Sequence, residues 1–193
     1  MKYDQGVLSG NTQPKFSELE HKIGTFKNRA KSLEVAKKSI TIVKDENSLL
    51  PLKVEKIDSL AHIIFSLDDN AKSYLKSFSR DIIKTHGHVK EVYINNPITE
   101  LGAKDLINQI KGVDNIVASM VVRIRMDKGI ATIDSTHSLM LSKLSKLGIP
   151  IITFSFGSPY LPSYHNIETY VCVYGYGSVS MIAASNALWG RSQ

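Results

Sequence analysis

The chain has 193 residues, 42% of them hydrophobic, and its 24 Lys and Arg against 18 Asp and Glu leave a formal charge of +6. That length can bury one sizeable core and suits a single domain. The charge is spread out, its densest groups being Lys27-Asn28-Arg29-Ala30-Lys31 and Lys37-Lys38. These read as a solvated helix face, and no RNA-binding signature or zinc-finger spacing argues for nucleic acid.

Residues 1–25 are expected to form an interdomain linker, and 26–193 the folded domain. The first 20 residues carry Gly, Asn, Gln, Pro, Ser and charged side chains with little apolar period, the pattern of an extended connector. Met1-Lys2-Tyr3-Asp4-Gln5-Gly6 lacks the apolar core of a signal peptide, and no apolar run is long enough to cross a membrane. In a piece of a longer protein, the targeting signal would lie elsewhere. From 26 to 42 the pattern is helical, with Leu33, Ala36 and Ile40 on one face and Lys31, Lys37 and Lys38 largely off it. Lys44-Asp45-Glu46-Asn47-Ser48 then reads as a polar turn closed by Leu49-Leu50-Pro51-Leu52.

Beyond Lys53, short β-branched or apolar runs alternate with helical patterns, which predicts right-handed crossovers in a mainly parallel sheet. Strands are predicted at about 61–66, 89–94, 116–124, 149–155 and 169–174. Between them Leu75, Phe78 and Ile82 make one helical face, Leu106, Ile107 and Ile110 a second, and Met140, Leu144 and Leu147 a third. A last helix over Ser178–Trp189 has Ser178 as its expected N-cap and Val179, Ile182 and Trp189 on one side. The stretches 116–122 and 149–154 are apolar on both strand faces, as they must be if helices cover both sides of the sheet. The predicted architecture is a three-layer α/β/α sandwich preceded by an extended linker and a helix. Cys172, the only cysteine, sits in Tyr170-Val171-Cys172-Val173-Tyr174 and reads as a buried strand residue.

Several groups could carry chemistry. Asp68-Asp69-Asn70 follows the first predicted parallel strand. Adjacent carboxylates rarely flank a glycosidic bond, so helix capping is the preferred reading. The histidines, His21, His62, His86, His88, His137 and His165, lie on separate segments apart from His86-Gly87-His88, and no metal site is expected from them. Gly175-Tyr176-Gly177-Ser178, between a strand and a helix, could cradle an anion on free N–H groups, although a tight turn is the better reading. No dinucleotide fingerprint, Walker loop or nucleophile elbow is present, and no cofactor is expected. Arg123, Arg125, Asp127 and Lys128 follow one apolar strand, and Ser158, Pro159 and Tyr160 the next. In open α/β sheets such strand-end loops face the ligand crevice. Of these, Arg123, Arg125, Ser158 and Tyr160 are the candidates for a substrate rim or for contact with a neighbouring domain.

Three segments together resemble a known family. The stretch 33–52, ending Lys44-Asp45-Glu46-Asn47-Ser48-Leu49-Leu50-Pro51-Leu52, is similar to the start of the C-terminal domain of family 3 glycoside hydrolases. Phe156-Gly157-Ser158-Pro159-Tyr160-Leu161 and Ala183-Ala184-Ser185-Asn186-Ala187-Leu188-Trp189-Gly190 resemble later landmarks of that family's bacterial β-N-acetylhexosaminidase branch. The resemblance implies a non-catalytic domain bracing a (β/α)8 barrel that carries the nucleophilic aspartate and the sugar-binding Lys-His motif. In some branches an acid glutamate sits on a long loop after the first sheet strand. Here the chain passes from Ser66 through Asp68-Asp69-Asn70 almost directly into a helix, which favours the hexosaminidase branch, whose acid/base is carried by the barrel. The chain stops at Arg191-Ser192-Gln193, where family members continue, so both ends are expected to be boundaries within a longer polypeptide. A freestanding small-ligand-binding module is the rival reading.

Overall fold

A computed structural model describes residues 15–124, 132–161 and 166–191. The apolar runs form β2 (Leu60–Phe65), β3 (Val89–Ile94), β4 (Asn115–Val122), β5 (Ile151–Gly157) and β6 (Thr169–Cys172), with β1 (Thr41–Asp45) added at one edge. The six strands lie in the order β1-β6-β5-β4-β2-β3. Every pairing is parallel except β1 with β6, where Ile42 lies opposite Val171 and Asp45 opposite Thr169.

Strand alternation then decides the layers. Ala61, Ile63 and Phe65 point with Ile116, Ala118 and Met120 toward α5 (Glu100–Gln109) and α6 (Ser135–Leu144), burying Leu106, Ile110, Met140 and Leu144. Leu60 and Ile64 point with Val117, Ile152, Phe154 and Phe156 the other way. They meet α3 (Ala71–Tyr74), α4 (Lys76–His86) and α7 (Ser178–Trp189). The result is the three-layer α/β/α sandwich with a mainly parallel sheet that the alternating pattern predicts. Cys172 is buried on the α5/α6 face.

Four local expectations are corrected. The helix read over 26–42 is α2 (Phe26–Ser39), and Lys44 and Asp45 belong to β1 rather than to a turn. Thr41-Ile42-Val43 is a β-branched run, and such residues lose χ1 freedom in a helix but fit a pleated edge. Part of the stretch read as extended is α1 (Phe16–Lys22). Third, α7 begins after Gly177, so Ser178 is its first residue and not its cap. Finally, α7 buries Met181, Ala183, Ala184, Ser185 and Leu188, while Ile182 is exposed and Val179 and Trp189 are half-buried. In this helix Ala183, Ala184 and Ser185 share the buried face with Met181 and Leu188.

The 33–52 segment has a clear mechanical role. Asp45 accepts hydrogen bonds from the backbone N–H of Leu49 (2.9 Å) and Leu50 (3.2 Å) and from Thr169 Oγ1 (2.9 Å). Asn47 Nδ2 donates to Glu168 Oε2 at 2.7 Å, and Leu52 N donates to Leu188 O at 2.7 Å. Together these bonds staple the entry of the domain onto β6 and α7.

Candidate functional site at the carboxyl edge of the sheet

β2 pairs with β3 on one side and β4 on the other. The helix leaving β2, α4, packs on one face and the helix leaving β4, α6, on the opposite face, so the chain diverges at their carboxyl ends. In an open parallel sheet this switch point opens the ligand crevice.

The loop after β2 is closed by its own polar groups. Ser66 Oγ donates to Val121 O (2.8 Å) and accepts from Asp68 N (3.1 Å), while Asp68 Oδ1 accepts from Asn70 N at 2.9 Å. Tyr93 donates its hydroxyl to Asp68 O at 3.0 Å. Asp68 therefore shapes an Asx turn ahead of α3, and Asn70, at the N-cap position, makes no side-chain cap bond.

Arg123 and Ile124 follow β4 directly, and both are exposed. Arg125, together with Asp127 and Lys128, lies outside the described residues. At the end of β5, Gly157 has φ 90°, and a Cβ there would fall inside van der Waals contact of Val122 O. Only glycine lets the two strand ends close this tightly, and Ser158 N then donates to Val122 O at 3.1 Å. Ser158 is fully buried, and its Oγ accepts from Tyr160 N at 3.3 Å. Tyr160 is exposed, and its carbonyl accepts from Thr132 Oγ1 at 2.8 Å. Of the four candidates, Arg123 and Tyr160 are exposed beyond the ends of β4 and β5, whereas Ser158 is buried beneath its loop.

The histidines do different work from one another. His86 contacts His88 O and Ile57 O, each at 3.1 Å, and His137 Nε2 contacts Asn96 O at 2.8 Å. His165 lies outside the described residues. Among the described residues, no group of three or more His, Cys, Asp or Glu is placed to hold a metal ion. No helix among them is long and apolar enough to cross a membrane.

Sequence reading missed His62. It is fully buried in β2, with Nε2 2.9 Å from Ser119 Oγ, Nδ1 3.3 Å from Ser79 Oγ, and Glu91 Oε2 3.8 Å from Nδ1. Burial holds its pKa below the ordinary histidine value, and Glu91 opposes that shift in part.

No family model matches the chain. A β-xylosidase from Formosa agariphila is 44% identical over 63 residues, which are 32% of this chain and 8% of that protein. Among solved structures, a β-glucoside phosphorylase, BglX, superposes with a TM-score of 0.73 at 20% identity, over 100% of this chain and 35% of its own. A β-glucosidase from Listeria innocua in complex with isofagomine gives 0.71 at 14% identity, covering 99% of this chain and 29% of the other. A glycoside hydrolase family 3 β-N-acetylglucosaminidase from Paenibacillus sp. str. FPU-7 gives 0.64 at 16% identity, covering 89% and 32%. The chain shares its fold with one part of each enzyme. It spans only 29% to 35% of their lengths.

Proposed function

We propose that this chain is the non-catalytic C-terminal α/β domain of a bacterial family 3 glycoside hydrolase, bracing a (β/α)8 barrel on the same polypeptide. The observation that carries the reading is the superposition of nearly the whole chain on about a third of enzymes with glycoside-directed names. The surface supports it. Leu67, Ile124 and Tyr160 follow β2, β4 and β5 and are 47%, 56% and 72% exposed, giving one edge of the sheet apolar groups for a neighbouring domain to cover. Arg123, Arg125, Ser158 and Tyr160 belong, on this reading, to that domain contact or to the rim of the sugar pocket.

The substrate of the whole enzyme is, on this proposal, a terminal β-N-acetylglucosaminide. It is cleaved with retention through a covalent glycosyl-enzyme on a barrel aspartate. Two features support this branch: the short 66–70 loop, which contains no glutamate, and the Ala183-Ala184-Ser185-Asn186 segment that packs α7 against the sheet. The test is a panel of chromogenic N-acetylglucosaminide, glucoside and xyloside on the barrel-containing polypeptide. Fastest turnover of the N-acetylglucosaminide is expected, and preference for the glucoside or xyloside would overturn the branch while leaving the domain assignment standing. The freestanding ligand-binding reading draws on the switch point between β2 and β4, and a gene encoding no barrel in frame with this chain would favour it.

A further inference from the structure

A concave site lies between α3, the start of α4 and the entry to α7. It is lined by Ser73, Tyr74, Lys76, Ser77, Arg80, Tyr176 and Ser178 and has a volume of about 480 Å³. Small-molecule sites typically occupy roughly 300–1,000 Å³. We propose that this cleft binds an oxyanion, the phosphate or carboxylate of a small polar ligand, between Lys76 and Arg80. The proposal does not rest on the barrel reading.

Charge is the first argument. The lining holds two cations and three serine hydroxyls but no carboxylate. Asp81, the acidic residue of α4, is already engaged, accepting from Arg191 Nη1 at 2.7 and 2.9 Å and from Trp189 Nε1 at 3.0 Å. Among the described residues, Lys76 and Arg80 are left without an ion-pair partner. Moreover Lys76, Arg80 and Lys84 recur every fourth residue along α4. Like charges at this spacing oppose the helix that carries them, and a bound anion relieves that repulsion.

Construction is the second argument. Lys76, Ser77 and Arg80 follow the three- and four-residue spacing of one face of α4, and Ser73 precedes them on α3. The opposite wall is fixed by the rings of Tyr74 and Tyr176, stacked at 5.0 Å with an interplanar angle of 28°. The chain reaches Tyr176 through Tyr174, at φ 63°, and Gly175, where a Cβ would meet Ser180 Oγ at 2.6 Å. The loop is thereby held against α7, so little ordering is left to be done on binding. A guanidinium matches phosphate or carboxylate with paired N–H groups, an ammonium adds a point charge, and the serine hydroxyls suit the remaining oxygens.

The test is calorimetric titration of the chain at low ionic strength with a glucose monophosphate, glucuronate, inorganic phosphate and glucose. Saturable binding of at least one anion, with none for glucose, is expected. Arg80→Gln and Lys76→Gln should each weaken it at least about tenfold, and Arg80→Lys should weaken it less. Lys104→Gln, on α5 across the sheet, should change it less than twofold. Tighter binding of the phosphosugar than of inorganic phosphate would show that the anion is carried on a sugar, and equal binding that it is free phosphate. Both results support an oxyanion site. No anion binding, equal binding of glucose, or equal losses in Lys104→Gln and Arg80→Gln would overturn it. Circular dichroism of each variant should match the parent chain, since neither cation has an ion-pair partner to lose among the described residues.

Discussion

His62 shows how one buried side chain ties stability to pH. Its burial among Ser119, Ser79 and the ring edge of Phe78, whose centroid lies 5.7 Å away, disfavours the charged form, and Glu91 opposes this in part. Burial lowers its folded-state pKa beneath the unfolded value, so its contribution is complete above about pH 6.5 and is lost as pH falls toward the folded pKa. The chain is therefore expected to lose up to about 1.4 kcal/mol per pH unit through this residue on acidification below neutrality. Denaturant unfolding of His62→Gln between pH 7 and pH 5 should show a shallower slope, and an unchanged slope would remove His62 from the account. Cys172 makes a second test. Burial raises its thiol pKa, with the Tyr170 hydrogen bond opposing, so a thiol reagent should label it only as fast as the chain unfolds. Strand alternation could mark both residues as buried. It could not reveal that His62 meets Ser119 and Glu91, because those contacts depend on the register of three strands far apart in sequence.

Among the elements, β1 and its staple are the most informative. The β-branched run at 41–43 continues the apolar pattern of α2, so the sequence alone hides the change from helix to strand. Pairing with β6 settles it. The same pairing explains why Asp45 matters. Asp45→Ala would leave Leu49 N, Leu50 N and the buried Thr169 hydroxyl without their acceptor, at an expected cost of about 1–3 kcal/mol. Denaturant unfolding would measure this, and Asn47→Ala should cost less, because its bond to Glu168 is exposed. β4 and β5 were legible because they are apolar on both faces, and α4 because Leu75, Phe78 and Ile82 repeat at helical spacing. The face of α7 was not, since Ala183 and Ala184 pack by being small, which a search for large apolar residues overlooks. Site legibility divides in the same way. Strand-end position accounts for the exposure of Arg123 and Tyr160, whereas the burial of Ser158 follows from the close approach of Gly157 to β4, a contact between segments.

For the whole molecule, the two apolar layers and the staple complete a sandwich whose open features are at its carboxyl edge. On the proposed function, the chemistry of sugar cleavage belongs to a barrel outside this chain. The described loop after β2 uses Asp68 for its own turn, and retaining hydrolysis requires two carboxyl groups on opposite sides of the bond, roughly 5–5.5 Å apart. The most direct test is turnover of a chromogenic N-acetylglucosaminide by purified residues 1–193, measured beside the barrel-containing polypeptide under the same conditions. The expected result is turnover by the longer polypeptide alone, with Asp68→Asn leaving that turnover within about twofold of the unsubstituted enzyme. Hydrolysis by residues 1–193, abolished by Asp68→Asn in a chain that keeps its fold, would contradict the account.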